Sequence, residues 1–249
     1  AVVVNWNGRD HLLACLESLS ELQFPKDRLT VIVVDNASSD GSRTAVREAF
    51  PGVELIANEA NAGYTAALNQ GLRRGLELGA DYFWMMNNDV RVAPDSLTRL
   101  VTAAEGDAAI GVVGPVICDY DEPETVTHAG YRINYWIGRL RKLRYGRDVF
   151  ADGESGLADV DSILGCSNLI RRAVFERVGR YREGYDVYFE DTDLNARASR
   201  AGFRVVLARD ARVAHVNAAT MDRRLGRRAW LLLRNLFLFE IGNARPLQL

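Results

Sequence analysis

Short apolar runs alternate with longer amphipathic stretches through the first half of the chain, and this rhythm limits the fold more than any other feature. Residues 2–6 read as a strand, and residues 10–19 place Leu12, Leu13, Leu16 and Leu19 at helical spacing. Residues 29–34 form a second strand that ends at Asp35, and Asp40 is positioned to cap a helix running through Ala49. A third strand over 53–57 leads to a helix over 62–78 closed by Gly79. A fourth strand covers 82–86, Pro94 opens a helix at its first turn, and residues 110–117 form another buried strand. Repeated strand–helix units predict an α/β fold with a Rossmann-like, mostly parallel sheet covered by helices on both faces.

Beyond Ile117 the rhythm breaks. Asp119, Asp121, Glu122, Pro123 and Glu124 precede an aromatic and basic stretch over 131–147, which reads as loop and hairpin over a site. Regular structure is expected again over 160–166, in a helix over 171–178 ended by Gly179 and in a helix over 191–200 ended by Gly202. Strands follow near Val205 and Val213, with a final helix over 223–241. The expected division is two halves of one domain, 1–117 and 118–220, and a basic, apolar C-terminal helix (221–249).

Composition removes several classes of function. The 249 residues carry 31 basic and 33 acidic side chains, a formal charge of −2, which argues against a nucleic-acid binder. At 48% apolar and 26% charged the chain is neither disordered nor fibrous. Cys15, Cys118 and Cys166 are odd in number and widely spaced, which speaks against a disulfide framework or a zinc site and for a reducing, cytoplasmic setting. The first residues lack the basic start and apolar length of a signal peptide. With no initiator methionine and an apolar end, the chain is expected to be a trimmed piece.

In an open α/β sheet, ligands bind beyond the carboxyl ends of the strands. Polar clusters stand there. Asn5 and Asn7 follow the first strand; Asp35, Asn36, Ser38, Ser39 and Asp40 the second; Asn58 and Asn61 the third; Asn87, Asn88 and Asp89 the fourth. One such cluster is turn chemistry; four on one edge point to a site. No G-x-G-x-x-G follows the first strand and no G-x-x-x-x-G-K-[ST] occurs, so phosphates need another counter-charge. A divalent metal held by Asp89 would supply it.

These residues resemble the family-two glycosyltransferases of the GT-A fold, in particular the rhamnosyltransferase-like branch. The resemblance rests on Val-Val-Val-Asn-Trp-Asn at the start, Val-Val-Asp35-Asn-Ala-Ser-Ser-Asp40-Gly, Asn61-Ala-Gly63, Asn87-Asn-Asp89, Glu190-Asp191-Thr-Asp193-Leu-Asn-Ala-Arg197 and His215, in that order. It implies that Asp35 reads the donor nucleobase beside the backbone of Asn5 and Trp6. Asn61 and Gly63 would line the nucleoside and phosphates. The family's Asp-x-Asp element falls on Asn87, Asn88 and Asp89, with an amide at the first position, so metal binding rests on Asp89. His215, which alone reads as a structural strand histidine, matches the histidine that completes the metal site, and Mg²⁺ or Mn²⁺ is the implied ion. Asp191 stands at the family's base position, with Glu190 orienting the acceptor hydroxyls. Asp193 and Arg197 read as an ion pair one helical turn apart. Arg182 stands where many relatives carry an acid.

The expected function is transfer of a sugar from a nucleoside-diphosphate donor, dTDP-rhamnose or a UDP-sugar, to a glycan or lipid-linked acceptor with inversion, in cell-envelope polysaccharide biosynthesis. Two alternatives stand beside it. A sugar nucleotidyltransferase would want a Gly-rich, Arg-Lys-bearing loop where Asn5 to Asp10 stand, and a catalytically silent nucleotide- or glycan-binding module is favoured only by Asn87. Residues 221–249 hold six arginines against two acids, +4, while the remainder of the chain is −6. The same segment carries Trp230, Leu231, Leu232, Leu233, Leu236, Phe237, Leu238 and Phe239, interrupted only by Arg234 and Asn235. It reads either as a core-packing helix or as a peripheral contact with the inner face of the membrane.

Overall fold

The computed structural model describes residues 1–136, 139–143, 146–147, 155–216 and 225–243. The expected alternation is present: β1 (Val2–Asn5), α1 (Arg9–Ser20), β2 (Ile32–Asp35), α2 (Ser42–Ala49), β3 (Glu54–Ala57), α3 (Tyr64–Glu77) and β4 (Tyr82–Asn87). Next come β5 (Val90–Val92), α4 (Ser96–Glu105), β6 (Ile110–Asp119), β7 (Thr125–His128), β8 (Tyr131–Asn134), β9 (Arg139–Lys142), β10 (Gly146–Arg147) and β11 (Leu157–Asp159). The chain continues through β12 (Ser167–Arg171), α5 (Arg172–Val178), α6 (Glu190–Arg200), β13 (Arg204–His215) and α7 (Leu225–Asn243).

The main sheet runs β10-β7-β6-β12-β4-β1-β2-β3, with β13 pairing β6, β5 and β11. From β4 through β1 and β2 to β3 every pairing is parallel, with Asn5 beside Asp35 and Val4 beside Asn87 in register. All carboxyl ends in this half therefore meet at one edge. The α/β class with a Rossmann-like parallel half expected from the sequence is what the chain adopts.

Alternation along each strand builds two cores. Val2, Val4, Ile32 and Val34 point to one face, where Leu68 and Leu72 of α3 and Leu194 of α6 cover them. Val3 and Val33 point to the other, against Leu12 and Leu16 of α1, Val46 of α2 and Leu97 and Leu100 of α4. Each such fully buried side chain contributes about 1.5–3 kcal/mol. α3 lies close on β1 because Gly71 faces Val2, where an added Cβ would come within 2.3 Å of a valine methyl.

Several sequence expectations shift. Pro94 lies two residues ahead of α4, whose N-cap is Asp95. The strand expected over 160–166 is instead β12, which starts after the turn at Gly165–Cys166 and inserts antiparallel between β4 and β6. Residues 160–166 cross beneath the site, with Ser162 bridged to Tyr131. The two strands near Val205 and Val213 are one, β13, with an irregularity between Ala208 and Arg212.

α7 turns Leu231, Asn235, Phe239 and Asn243 inward, a buried stripe at four-residue spacing. Its outer face carries Trp230, Leu233, Phe237 and Ile241, 58–71% exposed. Thr220 to Arg224, including Arg223, lie outside the described residues, as does Arg245. No helix among the described residues is long and apolar enough to cross a membrane.

Candidate active site

The parallel edge gathers the asparagines and Asp35 into one hydrogen-bonded floor. Asn5 donates to Asp35 Oδ2 at 2.9 Å and to Ser38 Oγ at 3.1 Å, and accepts from the Asn88 amide at 2.6 Å. Asp35 is fully buried and also accepts from Ser38 N–H at 3.0 Å and Arg43 Nε at 2.6 Å. Burial alone would raise its pKa, but the bonds from Arg43, Ser38 and Asn5 more than reverse this and hold the carboxyl below the ordinary range. Trp6 projects from the end of β1, 53% exposed.

Asn36 ties the second and third strand ends together, donating to Asn61 Oδ1 at 2.8 Å and to the Gly63 carbonyl at 3.1 Å. Asn61 also accepts from Gly63 N–H. Gly63 adopts φ +87°, and a Cβ there would meet Asp186 Oδ1 at 2.5 Å, so only glycine fits this corner. Asn87 is engaged too: Tyr64 donates its hydroxyl to Asn87 Oδ1 at 2.7 Å.

Asp89 and His215 meet through strand pairing. β13 runs antiparallel to β5 with His215 opposite Val90, and Val216 N–H donates to the Asp89 carbonyl. His215 Nε2 lies 3.2 Å from Asp89 Oδ1. Both His215 ring nitrogens are buried and neither makes a hydrogen bond among the described residues. A carboxylate oxygen and an imidazole nitrogen converging this way are a donor set suited to a divalent cation. No cluster of three or more His, Cys, Asp or Glu occurs among the described residues, so further ligands would come from a bound diphosphate or water.

Glu190 and Asp191 open α6, where free N–H groups favour carboxylates. Asp191 accepts from Gly165 N–H at 2.6 Å, Thr192 N–H at 2.6 Å and Thr192 Oγ1 at 3.1 Å. Glu190 is buried, and its Oε2 has no partner among the described residues. Burial raises both carboxyls, and repulsion from Asp191 lifts Glu190 well above the usual range. Asp191 has three hydrogen-bond donors, whereas Glu190 Oε2 has none among the described residues, so the ionised form is better supported on Asp191. Burial pushes the Cys166 thiol well up, and the nearby charges of Asp89 and Asp191 add to the rise.

The approach to Glu190 is strained. Asp186, Tyr188 and Phe189 all have φ between 62° and 70°, left-handed values that cost non-glycine residues about 1–3 kcal/mol each. Thr65 N–H and Oγ1 hold the Asp186 carbonyl from one side. The expected Asp193–Arg197 pair forms at 2.7 Å, and Arg182 joins Asp193 at 2.9 Å.

Sequence reasoning missed Arg43, Tyr64, Gly165, Cys166 and Asn235. Tyr64 stood one residue beyond a motif glycine and Asn235 broke an apolar run, two signals that could have found them. Arg43, Gly165 and Cys166 carried none, since each matters only through the carboxylate it faces.

The model of the family described as "Glycosyl transferase family 2" matches residues 1–179. The chain belongs to this family. The N-acetylglucosaminyl-diphospho-decaprenol L-rhamnosyltransferase of Mycobacterium tuberculosis is 29% identical over 242 residues, covering 89% of this chain and 77% of that one. The dTDP-rhamnosyl transferase RfbF of Shigella flexneri is 24% identical, covering 86% and 68%. Among solved structures, the mannosyltransferase PcManGT from Pyrobaculum calidifontis in complex with GDP-Man and Mn²⁺ superposes with a TM-score of 0.68 at 22% identity, covering 98% of this chain. GalNAc-T7 with UDP, GalNAc and Mn²⁺ gives 0.70 at 17% identity, covering 86%. This glycosyltransferase chain spans 64% and 43% of those two solved chains, which share its GT-A fold.

Proposed function

We propose that the chain transfers a sugar from a nucleoside-diphosphate donor to a glycan or lipid-linked acceptor hydroxyl with inversion, residues 1–117 holding the donor and 118–220 the acceptor. The observation that carries this reading is the buried carboxyl pair at the start of α6: Asp191 with three hydrogen-bond donors beside Glu190, whose Oε2 has none among the described residues. Asp191 takes the acceptor proton as that oxygen bonds to the anomeric carbon, while the bond to the diphosphate breaks and its electron pair leaves with the phosphate. Protonated Glu190 donates to an acceptor or sugar hydroxyl and holds it in line. Asp89 and His215 would hold a Mg²⁺ or Mn²⁺ ion, which when bound supplies positive charge to the leaving diphosphate.

On the donor side, Asp35 acts through what it fixes. Its carboxylate aligns Asn5, Ser38 and Arg43 around the nucleobase, with Trp6 and Asn88 beside them and Asn61, Gly63 and Asn87 toward the ribose and phosphates. The rhamnosyltransferase relatives favour dTDP-rhamnose as donor and a lipid-linked acceptor. With such an acceptor the enzyme would work as a peripheral protein at the inner face of the cell membrane. The outward stripe of α7, Trp230, Leu233, Phe237 and Ile241, preceded by Arg227 and Arg228, is the surface we assign to that contact.

A thermal-shift screen of dTDP, UDP and GDP, each with and without Mn²⁺, tests the reading. A ligand at about 100 times its dissociation constant adds roughly 2.7 kcal/mol of stability. We expect the largest shift with dTDP and Mn²⁺ together; no shift with any nucleotide overturns the assignment.

A further inference from the structure

We propose that Asn235 of the C-terminal helix is a positioning residue for the catalytic carboxylates, acting through the left-handed turn that delivers Glu190 and Asp191. The inference rests on the reading of Asp191 as the base and adds to it the element that sets where that base stands.

Three carbonyls of the turn converge on one side chain. Asn235 Nδ2 lies 2.9 Å from the carbonyl of Tyr185, 2.7 Å from that of Val187 and 2.8 Å from that of Tyr188, its two N–H groups shared among the three. Its orientation is set from the other end, because Arg234 Nε donates to Asn235 Oδ1 at 2.9 Å and leaves the amide nitrogen facing the turn. The Arg234 guanidinium also reaches the carbonyls of Gly184 and Tyr185, at 2.6 and 2.9 Å. Asn235 is wholly buried, so water cannot take over these bonds if the amide is removed. One turn on, Phe239 is fully buried against Phe189, ring centroids 5.6 Å apart, and against Tyr135 at 6.2 Å.

The start of the same loop has a matching anchor on α3. Asn69, also buried, donates to the Tyr181 carbonyl at 2.9 Å and to Glu183 Oε1 at 3.0 Å, and accepts from Tyr181 N–H. Two buried asparagines from helices far apart in sequence thus grip the two ends of one loop. Between Asn235 and the carboxylates stand only Tyr188 and Phe189, both at φ near 70°. Left-handed residues of this type persist only where surrounding contacts over-determine them. Without the amide the turn relaxes toward ordinary backbone angles, and Glu190 and Asp191 move with it. The nucleotide floor formed by Asn5, Asp35 and Asn88 makes no bond to α7 among the described residues, and Asp186, which abuts Gly63, is held there by Thr65 of α3, so donor binding changes far less than turnover.

The test compares Asn235→Ala with the milder Arg234→Ala, which removes the orienting guanidinium from a partly exposed position and leaves the helix core intact. Turnover is read as dTDP released from dTDP-rhamnose with N-acetylglucosaminyl-diphospho-polyprenol as acceptor, and dTDP affinity is read by calorimetry. A misplacement of about 1 Å costs on the order of 100-fold in rate. The expected result is a kcat lowered roughly 10–100-fold in Asn235→Ala and several-fold in Arg234→Ala, with donor KM and dTDP affinity within about twofold of wild type. Wild-type kcat in either folded variant, or an equal loss of kcat and dTDP affinity, overturns the positioning role. Asp191→Asn measured alongside separates the two claims. Full turnover in that variant defeats the base reading itself, whereas an inactive Asp191→Asn beside a fully active Asn235→Ala defeats the clamp alone.

Discussion

Asp89 Oδ1 lies 3.2 Å from His215 Nε2, brought there by the antiparallel pairing of His215 with Val90. If this pair holds the cation that meets the diphosphate, dTDP binding measured by calorimetry weakens in EDTA and in His215→Ala. The loss should be at least the roughly 10–100-fold that even a change outside the ligand set typically causes. Identical affinity with and without metal would remove the ion from the mechanism.

Asp191→Asn keeps the shape of the side chain and removes its basicity. Transfer should fall about 10²–10⁴-fold, the usual contribution of a general base, while dTDP affinity stays unchanged. Retained turnover, or a product with the donor's own anomeric configuration, contradicts an inverting base at this position.

Glu190 makes the fold sensitive to pH. Burial and the neighbouring Asp191 raise its folded pKa well above the unfolded value, so the stability it contributes is complete below the ordinary carboxylate pKa and is lost as pH rises through the raised one. Glu190→Gln mimics the protonated acid at every pH. Its melting temperature should exceed that of wild type at pH 8, by about 2–4 °C for each kcal/mol recovered, and match it near pH 4. A lower melting temperature at pH 8 would mean that the carboxylate is ionised and well held.

The outer stripe of α7 predicts vesicle binding. Co-sedimentation should require anionic lipid, fall with added salt, and drop when Arg223, Arg224, Arg227 and Arg228 are changed to Gln. Replacing Trp230 and Phe237 with Ser should reduce it as well. Equal recovery with neutral and anionic vesicles, or none with either, leaves α7 as a packing helix only.

Much of this molecule is local information. The β–α alternation and the polar clusters after Val4, Val34, Ala57 and Met86 are legible because strand and helix periodicities are short-range, and because parallel strands send every carboxyl end to the same edge. That rule places Asn5, Asp35, Asn61 and Asn87 together before any coordinate is known. The start of α6 at Glu190 was likewise readable to within one residue.

What the tertiary structure decided is who faces whom. β12 is a short run whose place between β4 and β6 follows from filling a gap that only the assembled sheet presents. Asp35 reads in sequence as an available carboxylate, yet Arg43, Ser38 and Asn5 enclose it. The different surroundings of Glu190 and Asp191 depend on Gly165 reaching Asp191 while nothing described reaches Glu190 Oε2. Asn235, two polar atoms in an apolar run, becomes intelligible only against the carbonyls of Tyr185, Val187 and Tyr188. Charge state and loop geometry are set by desolvation and by partners distant in the chain, and neither leaves a periodic trace in the sequence.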